Sequence, residues 1–350
     1  MSLKALLAAR IAAQGPITLA DYMADCLLHP SYGYYATRDP FGAAGDFTTA
    51  PEISQMFGEL LGLALAQCWL DQGAPAPFTL AELGPGRGTL MADLLRATRG
   101  IPGFHVAMRL HLVEASPVLR ADQRAAIAPH PARWLDTADQ LPDQALFLIA
   151  NEFFDALPIR QFTRDAQGWC ETRVGVTDGR LTPGLTAATP FPPLDHRLHD
   201  TRPGDIVEIC PAATATVATI GQRIARHGGV ALIVDYGGWI SHGDTFQAVA
   251  AHSHVDPFAD PGQADLTAHV DFAALAAASP TAHVYTTQGE ALLRLGIAQR
   301  TAALGRNLPP DGLAGLQADS HRLTAPSEMG TLFKLLALHP AGSPAPPGTV

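Results

Sequence analysis

Three glycines follow an apolar run at a point where a loop could hold a ligand. The run "FTLAEL" leads into "GPGRG", which contains Gly84, Gly86 and Gly88, and a helix-like run, "TLMADLLRAT", comes next. Glycine lets a backbone turn tightly and approach a ligand closely. Open α/β sheets bind ligands at the carboxyl ends of their strands, which is where this loop would lie. The pattern therefore indicates a site for a nucleotide-like cofactor, with a plain strand-to-helix turn as the alternative.

Two carboxylates accompany the glycine loop. Glu82 lies at the end of the first apolar run, and Glu114 at the end of the second, "RLHLVEAS". A carboxylate at the end of the second strand can accept hydrogen bonds from both hydroxyls of a ribose, as it does in NAD sites. We therefore predict that Glu114 holds a ribose and that Glu82 orients the loop or an amino group of the cofactor.

The strand end in "LIANEFFDALP" distinguishes between cofactors. It presents Asn151, Glu152, Phe153, Phe154 and Asp155 in succession. In methyltransferases that use S-adenosyl-L-methionine, this strand end borders both the methyl-bearing sulfonium and the acceptor. A hydride-transfer enzyme has no need for two carboxylates and two aromatic rings there, and the G-x-G-x-G spacing differs from the G-x-G-x-x-G of dinucleotide-binding loops. We therefore predict S-adenosyl-L-methionine as the cofactor, with a NAD(P)-dependent oxidoreductase as a disfavoured alternative.

Glu152 and Asp155 are predicted to be the catalytic residues. An arginine guanidinium stays protonated at neutral pH, so it offers no lone pair to a methyl donor. Paired carboxylates can bind such a cation bidentately and take a proton from it. Phe153 or Phe154 could stack on the planar cation, although one of the two rings is expected in the core. The structural alternative is that one of the acids caps a helix or pairs with Arg160.

Composition excludes several classes of protein. The 350 residues are 47% hydrophobic and 16% charged, with a net charge of −10, which argues against a general nucleic-acid binder. No apolar run approaches the roughly 20 residues that span a bilayer. The four cysteines have no zinc-type spacing, and His252 and His254 lack further ligands nearby in sequence, so no metal is predicted.

Alternating apolar runs and helical segments predict an α/β protein with a parallel sheet covered on both faces. We predict a helical N-terminal cap over residues 1–75 and a methyltransferase domain over residues 76–340. Two insertions are expected at about 163–204 and 239–275. The Pro- and Gly-rich end, residues 341–350, is expected to be disordered. "HVYTTQ" and "GTLFKLLALH" are predicted to form an antiparallel pair at the sheet edge.

Several long stretches resemble the MidA family of methyltransferases, which includes a mitochondrial assembly factor for respiratory complex I. They include "YMADCLLHPSYGYY", "GDFTTAPEISQMFGELLG", "ELGPGRGTLMADLLR", "HLVEASPVLR", "ANEFFDALPIRQF", "DYGG" and "PGQADLTAHVDF". The resemblance implies a seven-stranded, mostly parallel, Rossmann-like methyltransferase sheet with a helical N-terminal cap. For the mitochondrial member, it implies symmetric dimethylation of an arginine in a complex I subunit.

Two of the resembling stretches supply further candidate residues. In the first, Asp46, Thr49 and Glu52 could form a lid over the cofactor, or Thr49 could simply begin a helix. In the second, Asp265 and His269 could line the substrate cleft or cap a helix. We assign these five residues, with Phe153 and Phe154, to substrate binding. Asn151 joins Glu82, Gly84, Gly86, Gly88 and Glu114 in the predicted cofactor site.

The expected partner is a protein substrate, for which a respiratory NADH dehydrogenase subunit is the natural guess. The amphipathic N-terminal run and the Ala-rich composition favour a bacterial cytoplasmic protein, and the mitochondrial matrix is expected if the source is eukaryotic. A small-molecule methyltransferase and a non-catalytic assembly scaffold that retains cofactor binding are the alternatives. The oligomeric state stays open.

Overall fold

The structure is a computed structural model that describes residues 2–37 and 48–350, so Asp46 lies outside the described residues. The helices are α1 Leu3–Gln14, α2 Leu19–Leu28, α3 Tyr34–Thr37, α4 Ala50–Ile53, α5 Gln55–Asp71, α6 Thr89–Thr98, α7 Phe104–Ala107, α8 Pro117–Ala126, α9 Pro211–His227, α10 Phe272–Ala278, α11 Gln288–Arg294, α12 Ile297–Gly305, α13 Pro310–Thr324 and α14 Met329–Leu332. Short 3-10 helices occupy Ala138–Gln140 and Pro192–Arg197.

The strands are β1 Ile17–Thr18, β2 Phe78–Leu83, β3 Met108–Val113, β4 Ala132–Leu135, β5 Leu146–Asn151, β6 Arg160–Asp165, β7 Gly168–Thr177, β8 Arg180–Leu185, β9 Ile206–Ile209, β10 Gly229–Gly238, β11 Gln247–Ala250, β12 Ser253–Val255, β13 Asp265–Thr267, β14 Val270–Asp271, β15 Ala282–Thr287 and β16 Phe333–His339.

The central sheet is mixed and has eight strands in the described part of the chain. Its order is β15-β16-β10-β5-β2-β3-β4, and the two-residue β14 pairs with the end of β10. The pairs from β10 to β4 are parallel, whereas β16 runs antiparallel to both of its neighbours. The expected seven-stranded sheet thus gains a short eighth strand, because the last part of the second predicted insertion returns to pair with β10. The predicted antiparallel pair at the edge is confirmed as β15 and β16.

The sheet separates two hydrophobic cores. Side chains alternate between the faces of a strand, so in β5 Phe147 and Ile149 pack on one face and Leu146 and Leu148 on the other. The first face is covered by α5, α6 and α11, and the second by α9 and α10. Every residue of β2 and β5 is buried. This double burial explains why both strands read as continuous apolar runs in the sequence.

The predicted N-terminal cap divides between two parts of the molecule. Helices α1 and α2 pack in a third core with strands of the two insertions, and β1 pairs antiparallel with β7. Helix α5, in contrast, packs in the first core of the central sheet. It begins after Ser54, whose hydroxyl accepts a hydrogen bond from the Met56 N–H at 3.4 Å.

The segments predicted as insertions form two smaller sheets. One has the order β1-β7-β6-β9 with β8 added beside β7, and the other has the order β12-β11-β13. The end of the chain differs from the expected disorder. Thr349 is 4% exposed and its hydroxyl donates to the Pro346 carbonyl, while the Gly348 backbone packs against Leu295. Turn hydrogen bonds and this packing order residues that composition alone marked as disordered.

Among the described helices, none combines the length and the apolar character needed to cross a membrane.

Candidate active site

A cavity of about 830 Å³ lies at the carboxyl ends of β2, β3, β5 and β10. The predicted residues that line it are Thr49, Glu52, Glu82, Gly84, Gly86, Glu114, Asn151, Glu152, Phe153, Asp155 and Asp265. Parallel strands end at the same edge of a sheet, and this brings together residues that lie far apart in sequence. Three of the predicted residues do not line the cavity in the described structure: Gly88, Phe154 and His269.

The glycine loop needs glycine at three positions for two reasons. Gly84, Gly86 and Gly88 have φ values of +59°, +54° and +86°, in the left-handed region that side chains with a Cβ rarely adopt. A Cβ on Gly84 would also lie 2.9 Å from the ring of Phe153. Gly88 instead begins α6, and its Cα faces the Gln123 backbone of α8. The third glycine thus permits close packing of two helices, whereas the first two border the cavity.

Glu114 is half-buried at the cavity wall, and both of its carboxylate oxygens are oriented. Oε1 accepts the Ser116 N–H at 2.8 Å, and Oε2 accepts the Gln123 amide at 3.1 Å. Burial raises the pKa of Glu114, although these hydrogen bonds oppose that shift. Because a carboxylate has about four lone-pair sites, two remain for other donors. This arrangement suits a pair of ribose hydroxyls.

Gln123 connects the glycine loop to Glu114, and the sequence analysis missed it. The side chain is fully buried. Its Oε1 accepts the indole N–H of Trp134 at 2.8 Å, which orients the amide so that Nε2 donates to the Gly86 carbonyl at 2.8 Å and to Glu114. The available signal was an amide on α8 in the segment after Glu114, but nothing in its spacing separated it from a surface glutamine.

Glu82 is 2% exposed and lines the cavity beside the glycine loop. Burial, followed by the nearby charge of Glu114, raises its pKa to about 8. Its Oε2 has no hydrogen-bond partner among the described residues. A buried carboxyl oxygen without a partner costs free energy, which a donor bound in the cavity would recover.

The turn after β5 is held by Asp235, a second residue that the sequence analysis did not single out. One carboxylate oxygen accepts the N–H groups of Phe154 and Asp155 at 3.0 and 3.3 Å, and the other accepts that of Tyr236 at 2.9 Å. Asp235 is fully buried, and burial together with the charges of Asp155 and Glu152 raises its pKa well above the usual range. Its place in "DYGG", at the end of β10, was the available signal.

Glu152 and Asp155 lie side by side in this turn. Glu152 has a φ of +51°, an unusual conformation for a residue with a side chain, and its Oε1 accepts the Ala50 N–H at 3.3 Å and the Asn151 amide at 3.0 Å. Burial, then the charge of Asp155, raises the pKa of Glu152 to about 8. Burial also raises the pKa of Asp155 to about 6, and the Tyr236 side chain partly offsets that shift.

The two structural alternatives for these acids, a cap on a helix after β5 and an ion pair with Arg160, do not account for their positions. A turn follows β5, so neither acid begins a helix that continues from the strand. Arg160 pairs with Glu171 at 2.7 Å rather than with either acid. Oδ1 of Asp155 is buried without a hydrogen-bond partner in the described structure. The pair is therefore placed to receive a cation from the cavity.

The two predicted aromatic rings lie in different surroundings. Phe153 lines the cavity and packs against Gly84, whereas Phe154 is 2% exposed and belongs to the second core. The rings meet edge to face, with centroids 5.2 Å apart. The expectation that one ring is core fits Phe154, and only Phe153 is positioned to face a ligand.

The second insertion brings a further acid, Asp265, to the cavity. Asp265 is 6% exposed, and its Oδ1 accepts the hydroxyl proton of Tyr35, from α3, at 2.7 Å. His269 packs its ring against Tyr236, with centroids 5.5 Å apart, and faces away from this cavity. Asp271 accepts the Ala274 N–H at 2.9 Å and so caps α10. The segment "ADLTAHVDF" thus places Asp265 at the cavity and Asp271 at the N-terminus of α10.

The segment that contains Thr49 and helix α4 lies next to the glycine loop and the turn after β5. Glu52 accepts the Thr89 hydroxyl at 2.6 Å, and Ala50 donates its backbone N–H to Glu152. Thr49 is buried at the cavity wall and precedes α4, but its side chain makes no capping hydrogen bond. The segment therefore both begins a helix and covers one side of the cavity.

Across residues 2–37 and 48–350, no group of three or more His, Cys, Asp or Glu side chains is arranged to hold a metal ion.

Three features define a methyltransferase-type cofactor site. They are a glycine-rich loop after β2, an oriented carboxylate after β3 and an acidic turn after β5. The chain belongs to the family described as "Putative S-adenosyl-L-methionine-dependent methyltransferase", whose model matches residues 60–290. It is an S-adenosyl-L-methionine-dependent methyltransferase, and the cavity contains the groups that such a cofactor needs. Glu114 would hold its ribose, the Gly84–Gly86 backbone would lie along it, and Glu82 would meet a polar donor.

Several relatives are similar over most of the chain. The protein named "Protein arginine methyltransferase NDUFAF7, mitochondrial" is 35% identical in Danio rerio, over 95% of this chain and 85% of that one. The human protein of the same name is 36% identical, over 95% and 82%. A crystal structure from Burkholderia thailandensis, of a "likely methyl transferase" bound to S-adenosyl-homocysteine, has 30% identity and a TM-score of 0.82, covering 99% of this chain and 94% of that one.

Replacing Glu114 with alanine is expected to weaken cofactor affinity by at least about tenfold, because each charge-assisted hydrogen bond contributes about 1.5–3 kcal/mol. Calorimetric titration with S-adenosyl-homocysteine measures this loss. A 2′-deoxyribose analogue of S-adenosyl-homocysteine is the control. The wild type should bind the analogue more weakly than S-adenosyl-homocysteine, and this difference in affinity should disappear in Glu114→Ala. A loss under about threefold would mean that another residue holds the ribose.

Proposed function

We propose that this methyltransferase methylates an arginine side chain of a protein substrate. The observation that carries the proposal is the acidic part of the cavity lining: Glu152, Asp155 and Asp265 line it together with the Phe153 ring, and burial together with the charges of both aspartates raises the pKa of Glu152. A guanidinium is planar and permanently charged, and paired carboxylates match it in charge and geometry. The names of the Danio rerio and human relatives support the same class of substrate.

The carboxylates would act by orienting the acceptor and managing its proton. S-adenosyl-L-methionine supplies an activated methyl group when bound. Glu152 and Asp155 would bind the guanidinium, localise its positive charge away from the attacking nitrogen and take the proton that this nitrogen loses. Asp235 would keep both acids in place through the backbone N–H groups of the turn. Burial strengthens these charge interactions because little water competes.

The rate of methylation is expected to rise with pH between about 6 and 8, the range over which Asp155 and Glu152 lose their protons. Both acids have raised pKa values, so the neutral, inactive form prevails at lower pH. A bound guanidinium favours the charged form, and the kcat profile should therefore lie at lower pH than the kcat/KM profile. The measurement is made at saturating cofactor with an arginine-containing substrate. A flat kcat/KM profile over this range would contradict the assignment.

We propose a respiratory NADH dehydrogenase subunit as the substrate, because the family resemblance of the long sequence motifs extends to a complex I assembly factor. The proposed compartment is the cytoplasm for a bacterial source and the mitochondrial matrix for a eukaryotic one. Mass spectrometry of respiratory-complex subunits from a deletion strain tests the substrate: an arginine that loses methylation supports it, and unchanged arginine methylation contradicts it.

A purified assay tests the reaction class. The enzyme is incubated with S-adenosyl-L-methionine and the substrate protein, or with the same protein carrying lysine in place of the target arginine. Methylation of the arginine form alone supports the proposal. Methylation of both forms, or only of small metabolites from an extract, would favour a different acceptor class.

A further inference from the structure

A second cavity, of about 430 Å³, lies outside the proposed cofactor and acceptor site. It is enclosed by the start of α9, strands β6 and β9, the 3-10 helix Pro192–Arg197 and helix α10. Phe154 and Ile159, from the turn after β5, form part of its wall. This volume is within the range of small-molecule sites.

A buried arginine lines this cavity with part of its hydrogen-bonding capacity unused. Arg197 is 5% exposed. Its Nε donates to both carboxylate oxygens of Asp200, at 3.1 and 2.9 Å, whereas its Nη2 has no partner among the described residues. A guanidinium has five N–H donors, and leaving one buried and unpaired is costly. An acceptor bound in the cavity would remove that cost.

Two further positive groups converge on the same space. Arg160 lines the cavity: its Nε donates to Glu171 at 2.7 Å, and its guanidinium lies 5.0 and 5.1 Å from the centroids of the stacked Phe162 and Phe191 rings. Helix α9 has seventeen residues and begins at the cavity with no side-chain cap. The N-terminus of a long helix carries a partial positive charge.

The acids that line the cavity are already satisfied. Glu208 accepts hydrogen bonds from Gln161, from the Thr245 N–H and from the Thr245 hydroxyl. Asp271 accepts the N–H groups of Ser241 and Ala274 at 3.0 and 2.9 Å. These carboxylates are therefore turned toward protein donors. Glu171 offsets the charge of Arg160, so the unused donor of Arg197 and the start of α9 set the preference of the cavity.

We propose that this second cavity binds a small oxyanion, a carboxylate or phosphate compound, through Arg197, Arg160 and the first turn of α9. The ligand would accept a hydrogen bond from the unused donor of Arg197 and place its charge near the α9 N-terminus. This site is independent of the methyl-transfer proposal, because none of these groups lines the larger cavity.

The test uses the full chain saturated with S-adenosyl-homocysteine, so that the cofactor site cannot take up the probe. Inorganic phosphate and citrate are titrated separately, by calorimetry and by thermal melting. Saturable binding with a raised melting temperature is expected for at least one of them, and the two arms distinguish phosphate from carboxylate recognition. The absence of binding by both anions would overturn the proposal.

Two charge variants locate the site. Thr214→Glu places a carboxylate at the cavity wall, where it should act as a resident anion and weaken probe binding by about tenfold or more. Ala215→Glu is the matched control, since it adds the same charge to an exposed position on the same helix and should bind the probe like the wild type. Arg197→Gln should also lose binding. Wild-type affinity in Thr214→Glu would contradict the assignment, even if Arg197→Gln fails to fold.

Discussion

Replacing Gly84 with valine is expected to abolish binding of S-adenosyl-L-methionine while the protein stays folded. Gly84 lines the cavity with a φ of +59°, which a β-branched residue adopts only under strain. The added Cβ would also lie 2.9 Å from the Phe153 ring, so the loop or the ring that borders the cavity must shift. Calorimetric titration with S-adenosyl-homocysteine measures the loss of affinity, and a melting curve on the same preparation confirms folding.

Gly179→Val is the matched control for backbone strain. Gly179 lies in the turn between β7 and β8 with a φ of +72°, and a Cβ there would meet nothing within 4 Å. This variant should lose stability in the same way as Gly84→Val but bind the cofactor like the wild type. Unchanged cofactor affinity in Gly84→Val would disprove the role assigned to the loop.

Replacing Glu152 with glutamine is expected to reduce methylation about 100-fold or more and to leave cofactor affinity within a few-fold. Glutamine keeps the shape of the side chain and can still accept the Ala50 N–H and the Asn151 amide, as Oε1 of Glu152 does. It removes the negative charge that would face the acceptor guanidinium, and a desolvated cation without its counter-charge is strongly destabilised. Methyl transfer is measured at saturating cofactor, together with S-adenosyl-homocysteine titration.

The activity, measured beside a melting curve, separates this role from a structural one. If Glu152 only fixed the N-terminus of α4, glutamine would keep both hydrogen bonds of Oε1, and the variant would retain its activity with little change in melting temperature. Glu290→Gln, on the exposed face of α11, is the control for removing one carboxylate charge and should retain full activity. A fully active Glu152→Gln enzyme would contradict the proposed clamp. Asp155→Asn should show the same pattern if both acids bind the acceptor.

The residues next to strand ends could be predicted because their positions follow from local patterns. The apolar runs that lead to Glu82, Glu114 and Asn151 form strands. The polar residues at the ends of these strands line the cavity, so their types could be read from the sequence. The glycine conformations could also be anticipated, since a strand-to-helix turn this tight demands positive φ values. These inferences need only the near neighbours of each residue in the chain.

Long-range contacts could not be predicted in the same way. Gln123 and Asp235 are ordinary polar residues in sequence, and their importance comes from the groups that folding brings to them: the Gly86 carbonyl for one and the backbone of Phe154 and Asp155 for the other. Asp265 and Tyr35 meet across most of the chain length. Such pairs are set by the packing of separate elements, which local periodicity does not encode.

Local patterns in this chain were therefore sufficient for the α/β class of the fold, the glycine loop that borders the cavity and the acids of the turn after β5. The folded arrangement distinguished residues of identical type: Phe153 faces the cavity while Phe154 is core, and Gly84 borders the ligand space while Gly88 lets two helices pack. The physical reason is that sequence spacing specifies the direction of a side chain relative to its own strand or helix. What that side chain meets depends on the other elements that the fold places opposite it.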